Sequence, residues 1–160
     1  MVLFLLVVAL LLGSGEVCPV AGPVEFSDTF GLESKGRIHQ GQDLYAERGV
    51  PALAVEGGRV EFSTHPIGGN RVKLTTEDGR VFSYTHLDGF PEWLESGSEV
   101  AAGAIVGFVG NSGNALCCSP HLHFSQLERG DYVNPWPWLV NACMGPPDGG
   151  ETEVAPEIVT

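Results

Sequence analysis

Of the five histidines in this 160-residue chain, four fall into three short patterns whose residue types can bind and use a divalent metal. In His39-Gln40-Gly41-Gln42-Asp43 an imidazole and a carboxylate flank a glycine. Both side chains are zinc ligands, and a glycine between them lets the backbone turn so that they converge. His121-Leu122-His123 reads as strand, where positions i and i+2 share a face. Two imidazoles then stand side by side, one able to bind metal and the other to touch a water on it. Tyr84-Thr85-His86-Leu87 places a fourth histidine at the end of a hairpin strand. His65, followed by Pro66, has no partner pattern and is read as structural. Each pattern alone also fits a surface turn or a solvent-facing side chain. Together they supply three ligands (His, Asp, His) and two further histidines. A catalytic zinc takes three protein ligands and keeps a fourth position open. Unliganded histidines can serve as general base and as oxyanion partner. The chain has no His-Glu-x-x-His, so a histidine must act where that peptidase class uses glutamate.

The elements that must position these groups read as short strands. Glycine is abundant at 22 and proline reaches 11, which favours turns and a mainly β fold over a helical bundle. Segments 52–55 and 60–63 flank Gly57-Gly58 and predict a hairpin. Segments 71–75 and 81–86 flank Asp78-Gly79 and predict a second one. Within 81–86, alternation places Phe82, Tyr84 and His86 on one face. Segments 104–109 and 122–127 read as further strands, and the one helical turn expected lies at 91–94. Phe26 and Phe30 are the expected core anchors of a Pro/Gly-rich lead-in at 16–36.

The length fits one domain, and 43% hydrophobic residues suffice for a packed core. The net charge of −12 argues against nucleic acid, which is bound by neutralising phosphates. Part of the excess, Asp148, Glu151, Glu153 and Glu157, faces no Lys or Arg, so 146–160 reads as an acidic disordered tail. The apolar run from 2 to 12 is too short to span a bilayer, which takes roughly 20 residues. Followed by Gly13-Ser14-Gly15, it reads as a signal peptide over 1–15, with no membrane span after processing. The expected product is secreted, whether extracellular or in the cell wall or periplasm, and monomeric.

Taken in order, the motifs resemble the M23 peptidases, the lysostaphin-like family also called the LytM or Gly-Gly endopeptidase domain. The resemblance runs from about Gly36 to Pro135. It includes His39-x-Gly41-x-Asp43, Gly49-Val50-Pro51-Ala52 and Gly69-Asn70. It continues through Tyr84-x-His86-Leu87, Gly107-x-x-Gly110-Asn111-x-Gly113, Pro120-His121-Leu122-His123-Phe124 and Asn134-Pro135. Carried over residue by residue, it implies His39, Asp43 and His123 as zinc ligands and His86 and His121 as the catalytic histidines. It implies a compact antiparallel β-sheet domain over 16–145, with an open groove walled by loops and little helix. It also implies hydrolysis of peptide bonds in peptidoglycan stems or cross-bridges. The rival within the same resemblance is a non-catalytic module that regulates a cell-wall amidase; the presence of all five residues argues against it. The chain departs from the family at Ser125, where Glu is common, and at the adjacent pair Cys117-Cys118. No segment outside 16–145 is long enough for a wall-binding domain.

The four cysteines lack a C-x-x-C spacing, so a cysteine zinc site is not expected. Cys18 and Cys143 lie at opposite ends of the matched core, domain termini often lie close together, and an exported protein can oxidise its thiols. A Cys18–Cys143 disulfide is therefore expected. Closing a loop of about 100 residues is worth roughly 4 to 5 kcal/mol in the chain-entropy model. Cys117 and Cys118 are expected either to bridge each other or to remain thiols.

The acidity generates a first prediction. Acidic wall polymers should repel the protein, and salt screens that repulsion with a Debye length of about 10 Å at 0.1 M. Moderate salt should raise the rate on whole walls and leave the rate on a small wall peptide unchanged. Parallel salt curves on the two substrates would refute this.

Overall fold

The computed structural model describes residues 16–34 and 36–145. The expected signal peptide and acidic tail lie outside the described residues. Strands β1 (Glu33–Ser34) and β2 (Arg37–Ile38) form a small antiparallel hairpin. Strand β3 (Gln42–Tyr45) enters the main sheet, and β4 (Pro51–Leu53) leaves it. Strands β5 (Gly58–His65), β6 (Gly69–Thr75) and β7 (Val81–Leu87) run as an antiparallel meander. Strand β8 (Glu99–Val100) pairs with the start of β5, and β9 (Ile105–Phe108) pairs with β4. Strands β10 (His121–Glu128) and β11 (Asp131–Val133) close the sheet, and an α-helix, α1 (Trp136–Met144), follows. The main sheet has the order β11-β10-β7-β6-β5-β8, with β3 also on β10. The fold is mainly β and antiparallel.

β10 is the strand that positions the site. β7 pairs along one of its edges, while β3 and β11 share the other. Leu122, Phe124 and Gln126 face the core. Opposite Phe124 and Gln126 in register stand Tyr84 and Phe82 of β7, and opposite Leu122 stands Leu44 of β3. The Phe124 ring lies 5.2 Å from Tyr84, 5.9 Å from Phe82 and 5.6 Å from Trp138 of α1. The alternate residues, His121 and His123, therefore face away from this cluster.

Three expectations change. Segments 52–55 and 60–63 are not a hairpin: β4 pairs with β9, and β5 with β6 and β8. Gly57-Gly58 marks the crossing between sheets. A Cβ on Gly58 would lie 2.9 Å from the Thr75 carbonyl carbon, so close backbone approach requires the glycine there. Segment 91–94 is one turn, closed by Leu94 N–H donating to the Pro91 carbonyl at 3.1 Å. The helix lies instead at Trp136–Met144, where Pro137 is tolerated because first-turn N–H groups have no helical partner. The third change concerns His86 and is described with the site.

The helix covers the core. Leu139 is fully buried, and Trp138 Nε1–H donates to Gln126 Oε1 at 2.9 Å. Phe26 of the lead-in meets Trp136 edge-on at 5.3 Å. The Cys18 and Cys143 sulfur atoms lie 2.08 Å apart and join the lead-in to α1. No helix among the described residues is long and apolar enough to cross a membrane.

Tyr84 ties the two sheets together. Its ring is fully buried, and Val55 N–H, just beyond β4, donates to its hydroxyl at 3.0 Å. Burial raises the phenol pKa, so the hydroxyl stays neutral. Tyr84→Phe keeps the ring but orphans a buried N–H. It should cost about 1–3 kcal/mol in denaturant unfolding, and an unchanged midpoint would contradict the tie.

Candidate metal centre

The register of β3 on β10 places Asp43 directly opposite His123. Side chains opposed across an antiparallel pair meet at Cβ distances of about 5 Å. His123 Nδ1 lies 2.8 Å from Asp43 Oδ1. His39 precedes β3, and its backbone bonds to the β1–β2 region. Its N–H donates to Leu32 O at 2.9 Å, and its carbonyl accepts from Gly31 N–H at 2.8 Å. From there His39 Nε2 reaches Asp43 Oδ1 at 3.1 Å and His123 Nδ1 at 3.0 Å. The three residues form a group able to hold a metal ion.

The donor chemistry fits such an ion. A backbone carbonyl can only accept, so His39 Nδ1, 3.0 Å from Thr29 O, carries the proton. In the neutral imidazole His39 Nε2 therefore presents a lone pair, and in the imidazolium it donates to Asp43. Asp43 burial alone would raise its pKa, but the hydrogen bonds from His123 and His39 outweigh it. The carboxyl is held well below its usual range and stays an anion. The hydrogen bond to Asp43 raises the His39 pKa against a partly opposing burial. In the neutral imidazoles and the ionised carboxylate these three atoms are lone-pair donors converging on one point, which a cation satisfies together. Two nitrogens and a carboxylate oxygen are a zinc donor set.

Gly41 matters through space rather than through conformation. It is absent from the glycines with positive φ. A Cβ there would lie 2.5 Å from the Phe124 carbonyl oxygen and 2.7 Å from His123 Nε2. The expected freedom to turn is therefore replaced by a need for close packing beneath His123.

His86 and His121 join the same face. The His86 ring lies 5.0 Å from the His121 ring and 6.1 Å from the His123 ring. Strict alternation would put it in the core with Phe82 and Tyr84. His86 instead has φ of 62°, and the β6–β7 register shifts between Asn70 and Val72. This uncommon backbone turns the imidazole to the other face. Such conformations cluster at functional sites. His86 Nδ1–H donates to Ser112 O at 2.9 Å, and His121 Nδ1–H donates to Ser119 O at 2.8 Å. Each Nε2 is left as an acceptor. Burial lowers the His86 pKa, so its neutral form persists to lower pH. His65 is exposed and takes no part.

A supporting network escaped the sequence reading. Gln42, between Gly41 and Asp43, is fully buried. Its Oε1 accepts from Thr29 N–H at 3.0 Å, and its Nε2 donates to Asp28 Oδ1 at 2.7 Å and Asn134 Oδ1 at 2.9 Å. Gln42 thereby holds the residue whose carbonyl orients His39. A buried polar residue inside a ligand motif is the available signal, but its partners are distant in sequence. Ser125, the departure from the family pattern, is buried opposite Ser83. A cavity lined by Arg80, Phe82, Gln126 and Trp138 contains none of the five site residues.

Comparison with known proteins gives the family and the fold. The model of peptidase family M23 matches residues 37–135, and the chain belongs to that family. An L-Ala–D-Glu endopeptidase of Bacillus subtilis is 30% identical over 120 residues, covering 69% of this chain and 36% of that protein. The catalytic domain of the antimicrobial peptidase lysostaphin from Staphylococcus simulans aligns with a TM-score of 0.63 at 28% identity. That alignment covers 72% of this chain and 92% of that domain. A zinc-containing peptidase from Vibrio cholerae aligns at 25% identity with a TM-score of 0.58, covering 75% of this chain and 37% of that one. The chain spans about a fifth to a third of the length of the curated relatives it matches.

Gly41→Ala tests the packing beneath His123. The added methyl should cost about 1–3 kcal/mol of stability and weaken zinc binding ~10- to 100-fold. Chemical unfolding and competitive zinc titration measure the two effects. Wild-type zinc affinity in this variant would contradict the close approach.

Proposed function

We propose that this chain is a zinc-dependent endopeptidase that hydrolyses peptide bonds in bacterial peptidoglycan stems or cross-bridges. The observation that carries the reading is the convergence of His39, Asp43, His123, His86 and His121 on one face of β10 and its neighbours. Support comes from family membership and from a relative named for cleaving an L-Ala–D-Glu bond.

In this reading His39, Asp43 and His123 hold the ion. A zinc ion held there would supply Lewis acidity for a carbonyl and lower the pKa of a bound water. His121, with Nε2 free to accept, takes the proton from the attacking water as it adds to the carbonyl carbon. The same imidazolium returns that proton to the departing amide nitrogen as the C–N bond breaks. His86, neutral with Nε2 accepting, assists at the developing oxyanion through a water that donates one O–H to Nε2 and the other to the oxyanion. No covalent intermediate forms with the chain. The protein acts after export: 1–15 is the signal peptide, 16–145 the peptidase domain and 146–160 an acidic tail. In the oxidised product Cys18 is bonded to Cys143.

Metal content and turnover separate the roles. His39→Ala, Asp43→Ala and His123→Ala should each lose stoichiometric zinc. His86→Ala and His121→Ala should keep zinc and lose turnover by roughly 100-fold or more. Mass analysis of fragments released from purified peptidoglycan gives the rate and the bond cut. Full turnover by Asp43→Ala would sink the ligand assignment. Zinc binding without fragment release by the unmodified protein would favour a regulatory module.

A further inference from the structure

The pair Cys117-Cys118 has no role in the chemistry above, yet it sits in the loop that holds His121. Both residues are exposed, and their sulfur atoms lie 3.3 Å apart. Asn111 Nδ2 donates to the carbonyls on either side of the pair, Leu116 O at 3.4 Å and Cys118 O at 3.3 Å. Arg48 in turn grips Asn111 and Asp88. One residue beyond the pair, the Ser119 carbonyl accepts the His121 Nδ1–H at 2.8 Å. The loop backbone is thus clamped at one end and orients an imidazole at the other.

We propose that Cys117 and Cys118 are a thiol redox site, converted by an organic disulfide into a vicinal disulfide that displaces His121. The functional consequence rests on His121 acting in turnover. One cysteine thiolate attacks the disulfide RSSR, forming a mixed disulfide and releasing RS⁻. The second thiolate attacks the protein sulfur of that mixed disulfide and releases another RS⁻. The two cysteines lose two electrons and two protons in all, and RSSR gains them as two RSH. The sulfurs need little search, since they already touch. The backbone has more to change. Adjacent Cα atoms across a trans peptide are about 3.8 Å apart, whereas disulfide-linked Cα atoms are usually about 4.4–6.8 Å apart. Closing the ring therefore shifts the peptide groups on which Asn111 holds and from which Ser119 reaches His121. Bonds formed outside the usual geometry are also the more easily reduced ones, so the change reverses under mild thiol. A displacement of about 1 Å in a catalytic group can cost on the order of 100-fold in rate.

The test uses the zinc-loaded protein and oxidised glutathione. Trypsin leaves both cysteines in the segment 81–129, which contains neither Cys18 nor Cys143. That fragment should lose two hydrogens in mass, and turnover on a soluble wall peptide should fall about 10-fold or more. A phosphine reductant should restore both, with one zinc bound throughout. The Cys117→Ser, Cys118→Ser double variant should keep the starting activity and ignore the oxidant. The His121 imidazole resonances, followed by NMR, should move on oxidation only in the unsubstituted protein. Stable mixed disulfides with no internal bridge would overturn the proposal, as would a bridge that leaves the His121 resonances in place. A bridge that moves His121 in a protein with no peptidase activity even when reduced would count against the proposed function instead.

Discussion

Asp43 Oδ1 lies 2.8 Å from His123 Nδ1 and 3.1 Å from His39 Nε2, and the surrounding structure is arranged to keep it there. A carboxylate at this depth loses hydration that its neighbours must replace. Two imidazoles do so here, each from a different element. The β3–β10 register supplies His123, and the β1–β2 region supplies His39. A slip of one residue in that register would carry Asp43 to the core face and Leu44 to the site. Leu44, Leu122 and Phe124 are fully buried, so the hydrophobic core itself forbids the slip. The same packing that stabilises the sheet therefore aligns the candidate ligand atoms.

Around that contact, backbone carbonyls do the orienting. His39, His86 and His121 donate Nδ1–H to Thr29, Ser112 and Ser119 respectively. Each interaction fixes a tautomer and a ring direction, the usual task of the partners behind a metal ligand. Thr29 is itself held by Gln42, and Ser112 Oγ–H donates to the Leu87 carbonyl at 2.6 Å. The site thus rests on loops pinned to strands rather than on loops alone. Its two least regular features, the positive φ of His86 and the glycine beneath His123, lie where side chains must crowd onto one face.

The short-range patterns carried much of this. Spacing alone put His121 and His123 on one strand face, and the Asp78-Gly79 signal marked the β6–β7 hairpin. What spacing could not carry was long-range pairing. Gly57-Gly58 has the form of a hairpin turn, but the partners of the flanking strands lie elsewhere in the chain. Gln42 looks like any polar loop residue until Asn134, 92 positions away, closes on it. His86 defeated the alternation rule because that rule assumes negative φ throughout a strand. The helix at 136–144 was hidden by a proline and two tryptophans, which carry no clear helical period; Trp138 packs on Phe82 and Phe124, and Trp136 on Phe26.

The central claim is that two histidines and one aspartate hold zinc while two more histidines stand free beside it. X-ray absorption at the zinc edge of the metal-loaded protein tests this most directly, read together with the same spectrum of His86→Ala and His121→Ala. The account predicts nitrogen and oxygen neighbours only, with a first shell unchanged in both variants. Sulfur neighbours, which would bring Cys117 or Cys118 onto the metal, or a shell that loses a nitrogen in either variant, would contradict it.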